Sequence, residues 1–530
     1  MRIAIVGCAH GELDRIYKKC RDSGKKVDLI LCCGDFQSVR NKQDLRCMAV
    51  PDKFKNKGSF YKYYSGEAVA PVLTIFIGGN HEASNYLQEL AYGGWVAPNI
   101  YYLGYASVIN IAGVRIGGIS GIYNKQDACR NQSFMKGHYE YPPYNQGTMR
   151  SAYYTRRLEV FRLKQLSGKL DIFLSHDWPS EITNHGDLNK LLKMKPFFKE
   201  DISKKQLGSP LLDEVMKKLY PSKWFAAHLH CKFEATVYNE DKTKTTKFMS
   251  LDKCGDFCVG NRRSYRSPRV KERDYFEFID IEHDQSLPLT ISYDIEWLTI
   301  LFLTNNLLSV KDAWCYLPES QNFTPTEEQK EMILEKFNND LSVPQNFQQT
   351  VRPFHHTEYP TGFAQPPMLF INRQTTAFCE KLGIDDPFDL IKRSQTNLAH
   401  LNRFSSDQTK GNSSTGSIVD ISTAYSNTSL VLPLPQNQTK NSPKEHVNSN
   451  KSDVKHANLS DGNQNAINLG FFIDTTPSSS RCTEKRAREV LPEQKENCTD
   501  RNDQPTKKFK RRNEASYKSD FIKFKQLIVL

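Results

Sequence analysis

The sequence predicts an α/β fold in which helices cover the faces of a layered sheet. Short apolar, β-branched segments alternate with segments whose apolar residues recur at helical spacing, a pattern typical of sheets flanked by helices. The predicted strands cover residues 2–7, 27–33, 72–77, 106–111, 114–118, 171–174 and 224–227. Apolar residues are dense to about residue 310 and thin beyond 400, so the core belongs to the N-terminal part of the chain.

The remaining elements follow from local patterns. Apolar spacing predicts a helix over residues 13–20, and a second helix over 83–90 follows the third strand. A tight turn joins the strands 106–111 and 114–118. Pro142 and Pro143 make residues 124–157 an ordered loop and not a helix. Further along, the sequence predicts strands over 276–281 and 291–303 and a helix over 327–341.

Composition narrows the class of protein. The 530 residues suffice for two or three domains, and the net charge of +12 favours an acidic partner such as nucleic acid. From the total alone, a generic solubilising charge explains this excess equally well. The 13 cysteines have no regular spacing, which indicates a reducing compartment and not a disulfide scaffold. No apolar run reaches the ~18 residues of a membrane span, so we expect a soluble, intracellular protein.

Five predicted strands end in loops that carry metal-ligating or proton-transferring side chains. In chain order these are Cys8 and His10, Asp35, Asn80 and His81, His176, and His228 and His230. Strand ends of an α/β sheet gather at one crevice, so we expect these side chains to meet. Imidazole, carboxylate and amide oxygen suit two borderline cations such as Zn²⁺, Fe²⁺ or Mn²⁺. Asp35 is the natural bridge between them, and such a pair clamps a phosphate and lowers the pKa of a bound water for in-line attack.

The segment 124–157 interrupts the alternation of strands and helices with interleaved basic residues and tyrosines. Basic side chains hold phosphates and tyrosine faces stack on bases, which favours a nucleic-acid contact. An ordinary surface loop that tucks its aromatic side chains into the core explains the same composition. Both interpretations stay open on these residues alone.

The order of the ligand loops resembles that of the calcineurin-like metallophosphoesterases over about residues 1–235. The resemblance implies a four-layered αββα sandwich. In that family the first motif is usually Gly-Asp-x-His-Gly, whereas this chain has Cys8 in place of the aspartate. The change removes a hard carboxylate ligand. Either Cys8 ligates as a thiolate, or it lies aside and leaves a weaker second metal site.

Within that superfamily the chain resembles the RNA lariat debranching enzymes. The motifs that carry this resemblance lie at residues 7–11, 34–41, 136–145, 175–179, 226–230, 251–254 and 293–299. It implies hydrolysis of the 2′–5′ phosphodiester at the branch point of an excised intron lariat by a metal-activated water. One metal would take His10, Asp35 and His230, with Cys8 as a possible further ligand. The other would take Asp35, Asn80, His176 and His228.

The resemblance also assigns roles outside the metal ligands. His81 would be the general acid that protonates the leaving oxygen. The inserted segment would be a lariat-recognition loop that holds the RNA around the branch. Its predicted substrate-binding residues are Lys136, Gly137, His138, Tyr141, Tyr144, Asn145 and Arg150.

These patterns divide the chain into three parts. Residues 1–235 form the catalytic domain with the insertion at 124–157, residues 236–395 a smaller C-terminal domain, and residues 396–530 a disordered tail. The tail is rich in Asn, Ser, Thr, Gln and Lys, a composition that cannot repay the entropy of folding. Its basic clusters at 485–488 and 507–512 resemble nuclear-import signals. They predict nuclear localisation and an import receptor or spliceosome-associated partner.

Two alternatives remain at this point. The first is a metallophosphoesterase that acts on another phosphate ester, although a small phosphomonoester needs no surface like that of residues 124–157. The second is an RNA-binding scaffold that lost catalysis when Cys8 replaced an aspartate. The complete set of the other ligands argues against it.

Overall fold

The computed structural model describes residues 1–128, 133–259, 269–355 and 367–396. The predicted tail, with its basic clusters at 485–488 and 507–512, lies outside these residues. Among the described cysteines, nine are free thiols and eight of those are buried. No helix in the described ranges has the length and apolar character that crossing a membrane requires.

Two sheets form the centre of the fold. The strands are β1 Arg2–Val6, β2 Leu29–Cys32, β3 Leu73–Phe76, β4 Gly94–Ala97, β5 Ile100–Tyr102, β6 Ala106–Ile111, β7 Val114–Ile119, β8 Phe134–Lys136, β9 Ile172–Ser175, β10 Lys223–Ala226, β11 Phe233–Tyr238, β12 Thr245–Ser250, β13 Asp256–Val259, β14 Arg269–Glu272, β15 Phe276–Asp280, β16 Ser292–Tyr293 and β17 Trp314–Tyr316. The first sheet has the order β15-β1-β2-β3-β5-β4, and the second has the order β11-β12-β10-β9-β7-β6-β16.

Helices cover the outer faces of both sheets. They are α1 Leu13–Asp22, α2 Phe60–Ser65, α3 Ser84–Gln88, α4 Lys125–Ala128, α5 Thr148–Ser151, α6 Arg157–Leu163, α7 Leu188–Met194, α8 Phe198–Ser203, α9 Pro210–Leu219, α10 Ile295–Leu303, α11 Glu327–Lys336 and α12 Arg373–Leu382. One apolar cluster joins the first sheet to α1, α2 and α3. Another joins the second sheet to α6, α9 and α10.

The two sheets pack face to face through a third apolar cluster. This cluster includes Ile3 and Leu31 of the first sheet and Ile116 and Leu174 of the second, and all four side chains are fully buried. Helix, sheet, sheet and helix therefore form the four-layered αββα sandwich that the family resemblance implies. In each sheet the central strands are parallel, so their carboxyl ends share one edge.

The predicted strands of the N-terminal part all occur, most of them shifted by one or two residues at an end. The predicted turn between β6 and β7 is a two-residue turn at Ala112 and Gly113, both with positive φ (48° and 83°). Positive φ at both turn residues is the type I′ geometry that matches the twist of a hairpin. The Asn110 side chain accepts a hydrogen bond from the Gly113 N–H (2.9 Å).

The prediction of a strand over residues 291–303 was wrong. Only Ser292–Tyr293 is a strand, and Ile295–Leu303 is helix α10. The Asp294 side chain caps this helix by accepting a hydrogen bond from the Trp297 N–H (3.0 Å). Because α10 is apolar on nearly all sides, its sequence has no helical periodicity, and a continuous apolar run fits a buried strand equally well.

The prediction that residues 124–157 contain no helix was also wrong. The segment includes the single-turn helices α4 and α5 and the strand β8. Asn145 starts α5, since its side chain accepts hydrogen bonds from the N–H groups of Gly147 (2.8 Å) and Thr148 (2.9 Å). The two prolines exclude a helix only at their own positions.

Residues beyond 235 complete the sandwich. β12 and β15 belong to the two sheets, and β17 pairs with β8 of the inserted segment. The described residues cluster into one compact unit. The predicted domain boundary at residue 235 stays a prediction.

A buried arginine fastens the segment after β2 to residues far along the chain. Arg40 is 1% exposed, and it donates hydrogen bonds to both carboxylate oxygens of Asp44 (2.9 and 3.0 Å) and to one of Glu89 (2.8 Å). Its guanidinium carbon lies 3.9 Å from the centroid of the Tyr86 ring. The same guanidinium donates to the Thr350 hydroxyl (2.7 Å), so the cation holds two carboxylates and the C-terminal segment together.

We predict that Arg40→Met lowers the free energy of unfolding by about 3–5 kcal/mol, because it leaves two buried carboxylates without their cation. Urea denaturation at neutral pH measures this change through the midpoint and the slope. Lys217→Met is the control, since the Lys217–Asp213 pair lies at the surface and its loss costs ~0–1 kcal/mol. Equal midpoints for the two variants would contradict the prediction.

Candidate metal centre

The five ligand-bearing loops meet at the edge where the two sheets end. Three loops follow β1, β2 and β3 of the first sheet, and two follow β9 and β10 of the second. Among the described residues, one group of side chains has the arrangement of a metal site: Cys8, His10, Asp35 and His230, whose ligand atoms all lie within 4.8 Å of one another. The structure thus brings together residues that are up to 222 positions apart along the chain.

Two histidines face each other in this cluster. His10 Nε2 lies 3.4 Å from His230 Nε2, and it lies 3.7 Å from Asp35 Oδ2. Burial lowers the pKa of His10 to about 4 and that of His230 to about 2. The Lys253 ammonium lowers both pKa values further, and the Asp35 carboxylate opposes the shift. Both imidazoles are therefore neutral at pH 7 and keep a lone pair that a cation can accept.

A second set of side chains surrounds the other oxygen of Asp35. His176 Nε2 lies 3.2 Å from Asp35 Oδ1 and 3.3 Å from Asn80 Oδ1. The His228 ring lies beside that of His176, with 5.1 Å between their centroids. Asp35 thus turns one oxygen towards His10 and the other towards His176, as a carboxylate that bridges two positions must.

Each of these groups is oriented by a neighbour. His176 is fully buried, and its Nδ1 lies 2.7 Å from the Cys33 carbonyl oxygen. A carbonyl oxygen only accepts, so Nδ1 carries the proton and Nε2 is left for a cation. Although burial raises the pKa of Asp35, the histidines around it, His176 foremost, hold that pKa well below its usual range. Asp35 is an anion in the folded protein.

Cys8 is fully buried, and its sulfur accepts a hydrogen bond from the His228 N–H (3.3 Å). Burial raises the pKa of this thiol well above its ordinary value, and the Asp35 carboxylate raises it further. A metal ion reverses this balance, because a coordinating thiol is deprotonated outright. The position of the sulfur within the cluster fits a ligand.

The backbone is strained at the residues that carry these side chains. His10 (φ 49°), Asp35 (47°), His228 (61°) and His230 (51°) all adopt the left-handed conformation. This conformation is uncommon for residues other than glycine, and it costs on the order of 1–3 kcal/mol each. Such strain persists only where the surrounding structure enforces it, and its concentration at four predicted ligands marks this edge as a functional site.

Two glycines allow the loops to approach each other. A Cβ on Gly79 would lie 2.3 Å from Asp35 Oδ1, and one on Gly34 would lie 2.5 Å from His176 Nδ1. Both distances are far below van der Waals contact. No other residue fits at either position without moving Asp35 or His176.

Sequence reasoning assigned no role to Glu82, which holds the Asp35 loop in place. This carboxylate is 1% exposed and accepts hydrogen bonds from the N–H groups of Phe36 (2.7 Å), Gln37 (2.8 Å) and Gly79 (3.1 Å). Burial raises its pKa to about 8, and these three donors oppose that rise. Its place directly after His81 was the available signal, but sequence alone does not distinguish an inward from a solvent-exposed glutamate.

His81 lies at the accessible side of the cluster. Its N–H donates to Asp35 Oδ1 (2.8 Å), and its ring meets that of His10 edge to face, with 4.9 Å between the centroids. The residue is half-buried. Its backbone is thereby fixed to the bridging carboxylate while its ring remains within reach of a substrate.

The predicted recognition residues divide into buried and exposed ones. His138 is 5% exposed and stacks on Tyr105 (4.1 Å between centroids, 5° between planes), so it packs the base of the segment. Tyr144 donates a hydrogen bond to Gln88, and Lys136 pairs with Asp312 (3.1 Å). Gly137 lies against the backbone of residue 309, with no room for a Cβ.

The outer face of the inserted segment carries the remaining predicted recognition residues. Tyr141 (38%), Asn145 and Arg150 are exposed. The segment also reaches the edge where the ligand loops meet, because Tyr153 and Tyr154 line a cavity together with Gly78 and Gly79, which directly precede Asn80. A substrate lying on these exposed residues would thus pass beside the cluster.

The donor set fits divalent cations. Neutral imidazoles, an anionic carboxylate, an amide oxygen and a buried sulfur are ligands that Zn²⁺ and Fe²⁺ accept, whereas Mg²⁺ and Ca²⁺ prefer oxygen alone. The residues that could hold such ions are Cys8, His10, Asp35, Asn80, His176, His228 and His230.

Comparison with known proteins places this architecture in a family. Residues 1–232 match the family model "Calcineurin-like phosphoesterase", and residues 243–387 match "Lariat debranching enzyme, C-terminal domain". The curated lariat debranching enzyme of Drosophila melanogaster is 48% identical over 445 residues, which cover 74% of this chain and 79% of that protein. The human enzyme of the same name is 49% identical over 402 residues (73% and 70%), and the Arabidopsis thaliana one is 42% identical over 388 residues (72% and 86%). With its phosphoesterase fold, its divalent-metal donor set and these relatives, the chain belongs to the lariat debranching enzyme family.

Proposed function

We propose that this protein hydrolyses the 2′–5′ phosphodiester bond at the branch point of lariat RNA and so converts excised introns to linear RNA. The observation that carries the proposal is the cluster at the shared sheet edge, where Cys8, His10, Asp35 and His230 lie together and His81 is fixed beside them. Its membership in the lariat debranching enzyme family supports the branched RNA as the substrate.

We further propose that the centre holds one or two ions, with Fe²⁺ or Zn²⁺ as the resident metal and Mn²⁺ as a substitute. When bound, such ions offset the charge of the phosphate and lower the pKa of a water. His10 and His230 with Asp35 would hold one ion, and His176, His228 and Asn80 with the same carboxylate would hold the other. Glu82 keeps Asp35 in the position that serves both sets.

In this mechanism His81 is the general acid. Its imidazole donates a proton to the 2′ oxygen that leaves when the phosphodiester is cleaved, a role to which the pKa range of histidine is suited. Asp35 fixes the main chain of His81 through the hydrogen bond to its N–H (2.8 Å). The exposed residues Tyr141, Asn145 and Arg150 would hold the RNA beside the branch, with the phosphates on the cation and a base on the tyrosine ring.

The setting of this activity follows from the substrate. Introns are excised in the nucleus, and we propose that the protein works there and is imported through the basic clusters at 485–488 and 507–512. An import receptor or a spliceosome-associated protein would bind the same tail.

The test of the proposed function compares a synthetic branched RNA with a linear RNA of the same sequence. Purified protein is freed of metal with a chelator and then given Fe²⁺, Zn²⁺ or Mn²⁺ separately. We expect cleavage at the 2′–5′ bond alone, lost with the chelator and restored by metal. Cleavage of both RNAs would indicate a general nuclease, and binding without cleavage under every metal would indicate a scaffold; either result overturns the proposal.

We predict that His81→Ala lowers kcat on branched RNA by at least ~10²-fold, the low end of what a general acid contributes. Binding of the RNA should stay near the wild-type level, because the cluster and the inserted segment are untouched. Single-turnover cleavage and fluorescence anisotropy measure the two quantities. His283→Ala is the matched control, since His283 lies 2.6 Å from the N-terminal amino group at the opposite edge of the sheet. Near-normal turnover in the His81 variant would show that His81 is not the general acid.

We predict that Cys8→Ser weakens metal binding by at least ~10-fold, an effect that loss of even an outer-sphere partner can reach. Cys8→Asp should retain metal, because it supplies a carboxylate ligand at the same position. Metal content after dialysis against graded chelator, measured by mass spectrometry, gives the comparison. The control is Cys20→Ser, a buried thiol on α1. If all three variants keep the wild-type content, Cys8 is not a ligand.

A further inference from the structure

A second basic surface lies on the helical layer of the second sheet. Helices α7 and α8 follow β9 through the loop that carries His176. We name their outer side the α7–α8 patch. It consists of Lys190, Lys193, Met194, Lys195, Phe197 and Lys199.

The patch combines exposed apolar groups with exposed cations. Phe197 is 57% exposed and Met194 is 45% exposed, whereas most large apolar side chains of the sandwich are buried. The lysine side chains around them are exposed, apart from a half-buried Lys195 whose ammonium lies 5.9 Å from the Phe197 ring centroid. A merely solvated basic surface does not require a largely exposed aromatic side chain at its centre.

The lysines of the patch form no ion pairs among the described residues. In that part of the chain, Lys190, Lys193, Lys195 and Lys199 have no carboxylate within ion-pair distance. By contrast, the next two lysines along the segment are paired, Lys204 with Glu200 (2.6 Å) and Lys205 with Glu181 (2.8 Å). Four clustered ammonium groups that are not held in such pairs attract a polyanion.

The two helices pack into the core that also supports two of the ligand loops. Leu191 and Phe198, on the inner side of the two helices, belong to the same buried cluster as Trp178 and Cys231. Trp178 comes two residues after His176, and Cys231 comes directly after His230. The Trp178 indole also donates a hydrogen bond to the Ala227 carbonyl (2.9 Å), next to His228. The helices and the ligand loops therefore share one support.

We propose that the α7–α8 patch is a second RNA-binding surface, which holds one arm of the branched substrate with its phosphates on the lysines and a base stacked on Phe197. The inference rests on the proposed function, because a branch point joins three RNA strands at the scissile bond. The inserted segment would hold one strand, and the patch would hold another. Unpaired RNA suits the patch, since every base offers a face to an exposed ring.

The charge of the patch is tested with the triple variant Lys193→Ala/Lys195→Ala/Lys199→Ala. Its control is Lys18→Ala/Lys25→Ala/Lys26→Ala. This variant removes the same charge from α1 and from the residues just after it, on the helical layer of the first sheet. Binding of a branched RNA to metal-free protein is measured by anisotropy between 50 and 300 mM salt. The slope of log Kd against log salt should fall by about 2 in the patch variant, at ~0.7 for each lost phosphate contact on a single strand. Equal slopes in the two triple variants overturn the proposal.

The stacking role is tested with Phe197→Leu and Phe197→Trp. Loss of one stacked base should raise Kd in the leucine variant by roughly 5- to 150-fold, while tryptophan should keep wild-type binding. Because leucine preserves an apolar side chain of similar size, a purely structural role predicts no difference between it and phenylalanine. A wild-type Kd for Phe197→Leu removes the stacking contact from the proposal.

Shortened substrates identify the arm. Three branched RNAs, each trimmed to one nucleotide in a different arm, are compared on wild type and on the lysine variant. One of the three should bind both proteins equally, since it lacks the arm that the patch holds. Hydrolysis of bis(4-nitrophenyl) phosphate, which has no RNA arm, should be unchanged by the variant. If the variant loses the same affinity for all three RNAs, or loses the small-substrate activity, the patch holds no arm.

These measurements separate failure of this inference from failure of the proposed function. Binding is measured without metal, so it reports on the patch even if the wild-type protein cleaves no branched RNA. Cleavage by wild type with unchanged binding by the patch variants overturns the patch alone.

Discussion

The site depends on one buried carboxylate, that of Asp35, whose two oxygens face two different groups of histidines. The oxygens lie 3.2 Å from His176 Nε2 and 3.7 Å from His10 Nε2. An isolated anion buried this deeply would cost several kcal/mol, and it is tolerated only with positive or hydrogen-bonding partners on every side. The His81 N–H supplies one such partner, and the neighbouring histidines lower the pKa of the carboxyl enough to keep it ionised. Bound cations would complete the compensation.

The surrounding loops keep this carboxylate in place at a local cost in backbone energy. Asp35 and three histidines hold left-handed conformations, which their own side chains disfavour. Glu82 ties the loop after β2 to the loop after β3 through three N–H groups, and Arg40 fastens the following segment to residues beyond 340. Favourable packing in the large sandwich core offsets this strain, and the strained loops therefore keep the candidate ligands in fixed positions. The C-terminal segment is thereby linked to the loops that hold the centre.

Sequence patterns predict strands and the loops at their ends, whereas they do not predict features that depend on contacts between residues far apart in the chain. The parallel strands and the convergence of their ends follow from apolar runs and from the common edge of the sheets, so each candidate ligand of the cluster could be named before its neighbours were known. The helix at Ile295–Leu303 was missed because a uniformly apolar run has no period. His138 reads as a polar loop residue, yet it is buried because Tyr105, 33 positions earlier in the sequence, offers it a stacking face. Glu82 was missed since nothing local shows that it points inward.

Selectivity for a branched RNA requires contacts beyond the cluster itself. A phosphodiester at a metal centre is held firmly at the phosphate, but a phosphate looks alike in a branched and in a linear RNA. Discrimination must then come from groups that contact the strands leaving the branch, and these groups must be held in a fixed relation to the cluster. The inserted segment is fixed by β17, by Tyr105 and by Gln88, and the α7–α8 patch is fixed by the core around Trp178 and Cys231. A branched RNA would reach both surfaces, because its strands leave the scissile bond in more than one direction.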